Sequence, residues 1–481
     1  MARVRSLLKK YAGSYWQNVA RDYSSNALVE KPRRSVLFPH TPFFAHTSGS
    51  AIGLMYDPQA QKVHANSPAV FPTVWLIAIL ALCVGCSPPP NTAVESPADP
   101  ASLCTRIDAV LVHARDGRRL NASVHGAWQV VHGILAFGRD FQIAHRDTPS
   151  DNTKHAEVIS SALDYLLDGG ALNGWALRPG NAGVIAVVEE GSTTGQGHPD
   201  QWLGYLSQCD WQSQSVAREH SDTSGIPLDT PLRVAGREYS VGDLLKQAQF
   251  DIQPGQEATW TLMALSAYLP PDATWQARDG STWTTERVVQ MEADADLSSS
   301  ACGGAHRLYG LAAALKRHIA ARKIKNKNGS GSPDESYELN GGWAAAADSV
   351  NDAIDRARRF QQADGSFSIH SFERPGTSSD IFATLSATGH IFEVLALSLD
   401  DQRLAEPWVV RAAERLVTML EHTADLDVEC GALYHAAHGL LLYRNRICGD
   451  RDLTPSQPAG TAAAGLMPGA NHFQLRVDGI D

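Results

Sequence analysis

Two kinds of helical segment alternate between residues 103 and 450. The first kind is amphipathic: residues 350–362 and 412–426 place apolar side chains at i, i+3, i+4 and i+7. The second kind is apolar or small nearly all round, which is typical of a buried helix. Six segments of this second kind occur: residues 125–138, 200–209, 258–269, 303–318, 382–399 and 431–444.

The alternation of these two kinds predicts the fold class. Runs of alternating apolar and polar residues, which would indicate strands, are rare. Six buried helices interleaved with half-exposed ones indicate an all-α protein, an (α/α)6 toroid in which an inner ring of helices is surrounded by an outer ring. An open solenoid of helix pairs is the alternative.

One strongly apolar run, Val74–Cys86, lies outside this body. It is shorter than the roughly 20 residues that span a membrane, and its length suits the apolar region of a signal peptide. The expected organisation is therefore a basic N-terminal extension (1–73, disordered or preceding the true start), the signal or anchor segment (74–86), a Pro-rich tether (87–102), the toroid (103–450) and a flexible tail (451–481).

The end of this run resembles the signal of bacterial lipoproteins, because Gly85 precedes Cys86. The position three residues before that cysteine is usually Leu and is Cys83 here. The resemblance implies lipidation of Cys86 and a body exported to the periplasmic or extracellular side of the cell envelope. The alternative is an uncleaved membrane anchor with a basic cytoplasmic segment, which would export the body as well.

The charge of the body limits its possible partners, and its cysteine content bears on what holds the fold together. Residues 1–86 hold 9 of the 41 Lys/Arg and 3 of the 52 Asp/Glu, so the remainder carries 32 against 49, a net charge of −17. An acidic body without a Lys/Arg cluster argues against a nucleic-acid partner.

Five cysteines follow Cys86, an odd number with no C-x-x-C spacing, and we expect them not to organise the fold.

A short loop motif carries a family resemblance. Gln361-x-x-Asp364-Gly365-x-Phe367 resembles the repeat loop of terpenoid cyclases, and "LYHAAHGLLL" resembles the inner helix of protein prenyltransferase β subunits that supplies a zinc-binding His. The resemblance implies the six-fold toroid and gives His435 the zinc-binding role.

The activities of these families need further residues that this sequence lacks. The cyclase acid lies in an Asp-x-Asp-Asp run, of which only Asp294-x-Asp296 is present, and we expect this pair to form a surface turn at a helix end. The prenyltransferase zinc site needs an Asp-x-Cys, and the region of Ser378 and Asp380 has no Cys.

Histidines occur in or just before most of the apolar segments. If the inner helices run parallel, residues near their starts converge on one mouth of a central cavity. The candidate cavity residues are His125, His198, Glu257, His306, His390 and His435. Asp or Glu beside such histidines would suit acid–base work on a polar ligand.

Two Cys–His pairs predict a metal. Thiolate and imidazole are the ligands that zinc selects, so the predicted joint site is Cys302, His306, Cys430 and His435, with zinc as the candidate cofactor. His438, one turn beyond His435, is expected to be structural. In the simpler interpretation all these residues only pack the core.

These observations predict an exported, membrane-tethered toroid whose His/Cys cavity binds a small-molecule or polymeric ligand, with catalysis left open. A non-catalytic binding or scaffold module at the cell envelope is one alternative. An enzyme of the terpenoid cyclase or prenyltransferase type is another. The membrane, through the N-terminal anchor, is the expected second partner.

Overall fold

The computed structural model describes residues 100–146, 157–188, 198–209, 225–328, 338–449 and 453. The segment 74–86, the lipidation site Cys86 and the tail from residue 454 lie outside these residues. The described part is mainly helical, as predicted. Its helices are α1 (Pro100–Val112), α2 (Ala127–Phe137), α3 (Ala162–Leu167), α4 (Gln201–Leu206), α5 (Val241–Asp251), α6 (Thr259–Tyr268), α7 (Thr285–Ala293), α8 (Ala305–Asn328), α9 (Gly341–Phe360), α10 (Ile381–Ser398), α11 (Asp401–Leu404), α12 (Pro407–His422) and α13 (Cys430–Ile447).

Short strands in the connections depart from the all-α expectation. β2–β3, β4–β5, β6–β7 and β8–β9 are antiparallel pairs, and β1 pairs in parallel with β2. With two to five residues each, they are too short to show a clear alternating pattern. They are β1 (Leu120–Asn121), β2 (Gln142–Arg146), β3 (Glu157–Ser161), β4 (Trp175–Pro179), β5 (Val184–Val188), β6 (Pro231–Val234), β7 (Arg237–Ser240), β8 (Thr274–Gln276) and β9 (Thr282–Thr284).

Each of the six apolar segments forms a helix, and these six helices pack in sequence order. Helix α2 contacts α4, α4 contacts α6, α6 contacts α8, α8 contacts α10, α10 contacts α13, and α13 contacts α2 again. The amphipathic helices contact members of this series: α7 and α9 lie against α8, and α12 lies against α10. The apolar helices are buried because they have neighbours on all sides.

Glycines bring α10 and α13 close together. A Cβ atom at Gly389 would lie 3.0 Å from the Cα of Ala436, and one at Gly439 would lie 3.0 Å from the backbone nitrogen of Glu393. The two helices therefore pack backbone to backbone. This close approach lets short polar side chains on one helix reach the other.

Helix α10 is also the one helix in the described residues that is long and apolar enough to cross a membrane. Its mean hydropathy is 1.4, and 61% of it is buried inside the fold. Its place between α8 and α13 accounts for this apolar composition.

A disulfide joins the two ends of the helical body. Cys104 of α1 is bonded to Cys448, which follows α13. The expectation that cysteine does not organise the fold is therefore wrong. The two residues are separated by 344 positions, and no local spacing indicates such a pairing. Cys302 and Cys430 remain thiols.

Candidate metal centre

Four of the apolar helices each bring one histidine to a common cluster. The ring centroids of His390 and His435 lie 4.1 Å apart, those of His306 and His435 4.8 Å, and those of His132 and His435 5.0 Å. All four residues are at most 6% exposed. The four rings are therefore in contact with one another and shielded from solvent.

A single buried carboxylate orients two histidines of α13. Glu393 of α10 accepts hydrogen bonds from Nδ1 of His435 at 2.9 Å and from Nδ1 of His438 at 2.5 Å. Burial disfavours the charged carboxylate, but these two imidazoles outweigh it and hold the pKa of Glu393 well below its usual range. Glu393 is therefore ionised, and both histidines present Nδ1–H to it.

This arrangement determines the protonation of His306. Because Nδ1 of His435 carries the hydrogen, Nε2 of a neutral His435 ring is an acceptor. It lies 3.1 Å from Nε2 of His306, which then donates. The remaining nitrogen, Nδ1 of His306, is buried and carries a lone pair that has no hydrogen-bond partner among the described residues. Such an unsatisfied atom in a polar cluster indicates a missing ligand.

His390 is oriented in a similar way. Its Nδ1 lies 2.7 Å from the carbonyl oxygen of Ser386, to which it donates, so Nε2 is the nitrogen that is left to face Cys302 or a metal. Burial alone would lower the pKa of His390. The hydrogen bond and charge of the neighbouring Cys302 outweigh burial and raise that pKa to about 9.

Cys302, His306 and His390 together form a candidate metal centre. Their donor atoms all lie within 4.8 Å of one another. Cys302 is exposed, whereas the two histidines are buried. Burial also lowers the pKa of His306, which keeps its imidazole in the neutral form that binds metals.

The loop that presents Cys302 has an unusual backbone. Cys302, Gly303 and Gly304 all lie in the left-handed region, with φ of 51°, 63° and 85°. This conformation is costly for cysteine and free for glycine. A Cβ atom at Gly303 would also lie 2.2 Å from Oγ of Ser371. The glycines therefore allow the turn that places the Cys302 thiol beside α10.

A buried ion pair fixes this loop to the helices. Arg307 of α8 donates to Glu292 at 3.1 Å, to the carbonyl oxygen of Asp296 at 3.2 Å and to Oγ of Ser300. Glu292 also accepts from the hydroxyl of Thr259 at 2.7 Å. The loop that carries Cys302 is thus tied to α6, α7 and α8.

The predicted ligand set is only partly brought together. His306 and His435 are adjacent, as expected, but His390 and not Cys430 completes the group with Cys302. Cys430 lies in the first turn of α13 beside a groove of about 520 Å³. Burial raises the pKa of its thiol to about 12, which disfavours the thiolate that binds zinc.

The other predicted residues lie outside the cluster. His125 accepts from the backbone N–H of Asn121 at 2.8 Å and lines the same groove. His198 lies 2.8 Å from Glu257 through Nδ1 and stacks on Trp260 with a centroid distance of 4.3 Å.

The residues weighed for cyclase chemistry lie at the surface. Asp294 and Asp296 are exposed at the end of α7, as expected for a helix-end turn.

Three residues of the cluster, His132, Glu393 and Tyr205, are not among the candidates of the sequence analysis. Glu393 is the only acidic residue in α10, "IFATLSATGHIFEVLALS", and a lone carboxylate in an apolar helix is a signal that could have identified it. Tyr205 of α4 lies with its hydroxyl 3.0 Å from Nε2 of His132. Its position in a short helix gives no comparable signal.

Comparison with known proteins finds no relative of this chain. The chain matches no family model, no curated protein and no solved structure.

Proposed function

We propose that the protein is an exported (α/α)6 toroid, held at a membrane by its N-terminal segment, whose central Cys/His cluster binds zinc. The observation that carries this proposal is the grouping of Cys302, His306 and His390 within 4.8 Å. One thiolate and two imidazoles form a ligand set that zinc favours. Glu393 supports the cluster indirectly: it orients His435, and His435 in turn accepts a hydrogen bond from Nε2 of the ligand His306.

The helix contacts support the toroid. Six apolar helices contact one another in sequence order and return to the first, and amphipathic helices contact members of this series. The loop motif that resembles terpenoid cyclases also has a structural role. Gln361 donates to the carbonyl oxygens of Gly365 at 3.0 Å and Trp408 at 2.8 Å, and the Phe367 ring is buried. The loop thus fastens the helix before it to α12.

The disulfide between Cys104 and Cys448 supports export. Disulfides persist in oxidising compartments and are rare in the cytosol of most organisms. This agrees with the expected signal segment at residues 74–86 and with lipidation of Cys86. Labelling of cells with a fatty acid tests the tether: label should be incorporated into the wild-type protein and be absent from Cys86→Ser.

Metal analysis of the full-length protein tests the zinc site. We expect one zinc ion per chain in the wild type and a large loss of zinc in Cys302→Ser and His390→Gln. Cys430→Ser is the control, because this cysteine also lies at the start of an apolar helix and is a thiol, but it lies outside the cluster. Metal-free wild type after zinc supplementation, or equal loss in the Cys430 variant, would contradict the proposal.

A non-catalytic binding module is the second candidate, and the groove favours it. The groove of about 520 Å³ is lined by charged side chains of both signs and by Trp128, whose ring contacts His132 at 4.3 Å. Such a surface suits a polar small-molecule or polymeric ligand at the cell envelope. Terpenoid cyclase or prenyltransferase chemistry has less support, since Asp294 and Asp296 are exposed at a helix end.

A further inference from the structure

The hydrogen bonds of the cluster limit the number of protein ligands available to a metal. His435 is adjacent to His306, but both of its nitrogens are engaged: Nδ1 donates to Glu393, and Nε2 accepts from His306. To become a ligand, His435 would have to give up the hydrogen bond that orients His306. Three protein donors therefore remain, from Cys302, His306 and His390.

The surroundings of the three donors are asymmetric. On one side the cluster is closed by buried aromatic rings: Trp260 packs against His306 with a centroid distance of 4.9 Å, and Tyr205 lies within 6.3 Å of His435. On the other side Cys302 and Gly303 are exposed. The exposed side of the three-donor group is therefore the one formed by the Cys302 loop.

We infer that zinc in this centre keeps a fourth, exchangeable position on the Cys302 side, which takes water or a small anion. The inference rests on the zinc binding proposed above. Structural zinc sites are closed by four protein ligands, whereas sites with three protein ligands hold water in the fourth position. Zinc-bound water supplies a hydroxide nucleophile near neutral pH. With an open fourth position, the centre would therefore have the ligand arrangement of a catalytic zinc site rather than of a structural one.

Cobalt substitution of the full-length protein tests the inference. Co²⁺ takes the place of zinc and reports its ligands by visible absorption. We expect a thiolate-to-cobalt band that disappears in Cys302→Ser, and a saturable change of the cobalt bands when azide is added. The Cys430→Ser variant should retain both features.

His435→Gln separates the two possible ligand sets. With an open position, the variant should still bind one cobalt ion and respond to azide. If His435 is the fourth ligand, the wild-type spectrum will be insensitive to azide and the variant will gain a response, which overturns the inference. Should the variant not fold, the azide titration of the wild type alone decides. Absence of cobalt and zinc binding would instead overturn the proposed function.

Discussion

Replacing Glu393 with Gln tests whether the shared carboxylate holds the cluster together. The substitution keeps the size of the side chain but turns one acceptor oxygen into an N–H donor that faces a histidine Nδ1–H. One of the two hydrogen bonds, to His435 at 2.9 Å or to His438 at 2.5 Å, is then lost or must be remade with another tautomer. The remaining bond loses its charge.

The expected magnitude follows from burial. Glu393 is 3% exposed, so solvent cannot replace the lost partner. A hydrogen bond to a charged group contributes about 1.5–3 kcal/mol, and an unsatisfied buried donor costs about 1–3 kcal/mol. We therefore expect Glu393→Gln to lower the free energy of unfolding by about 2–4 kcal/mol.

Glu257→Gln is the matched control for this measurement. Glu257 also pairs with a histidine, His198, at 2.8 Å, but the exposed fractions of the two side chains are 29% and 13%, against 4% and 2% for Glu393 and His435. We expect this control to lose less than about 1 kcal/mol. Urea unfolding of chelator-treated protein, followed by circular dichroism, gives both values. Equal losses in the two variants would refute the reasoning from burial.

Three further predictions concern pH, helix packing and the disulfide. Burial lowers the pKa values of His132, His306 and His435 in the fold. Below about pH 6.5 the unfolded chain therefore binds more protons than the folded one. The unfolding free energy of the metal-free protein should fall toward pH 5 by up to about 1.4 kcal/mol per pH unit for each group. His390 has the opposite sign, because its pKa is raised to about 9, and it should reduce stability as the pH rises from about 6.5 to 9. Urea midpoints that stay constant from about pH 5 to 9 would contradict both statements. Gly439→Ala should lower the stability of the protein by about 1–3 kcal/mol in thermal melts, because the new Cβ would lie 3.0 Å from the backbone nitrogen of Glu393. This crowding outweighs the higher helix propensity of Ala. A raised melting temperature would contradict the close packing of α10 and α13. Removing both Cys104 and Cys448 should cost about 2–5 kcal/mol, and adding a reductant should then lower the midpoint of the wild type but not of the variant.

The helical framework could be predicted because burial on all sides leaves a mark on composition. All six apolar segments form helices, and the bounds predicted for the segment at 382–399 differ from the observed Ile381–Ser398 by one residue. The hairpins were missed because each strand is short. The turn of β6–β7, where Ala235 and Gly236 both have positive φ, carries only a weak Ala-Gly signal.

The candidate site was predicted only in part. Sequence alone indicated that His306 and His435 face the same centre, because both lie near the start of an apolar helix. The partnership of Cys302 with His390 depends on a left-handed turn, and the role of Glu393 depends on how glycines set the contact between α10 and α13. Both are consequences of three-dimensional packing. For the same reason the sequence groups Cys430, one and a half turns before His435, with it, although Cys430 lies outside the group of Cys302, His306 and His390.

The disulfide near the two ends of the helical body also affects how the protein survives proteolysis. Any single break in the backbone between Cys104 and Cys448, a span of 344 positions, leaves both fragments covalently linked. In the proposed tethered form, a cut between α8 and α9 would therefore not release the C-terminal helices, including those that carry Glu393 and His435, from the cell surface. Non-reducing gels of nicked protein would still show one full-size band.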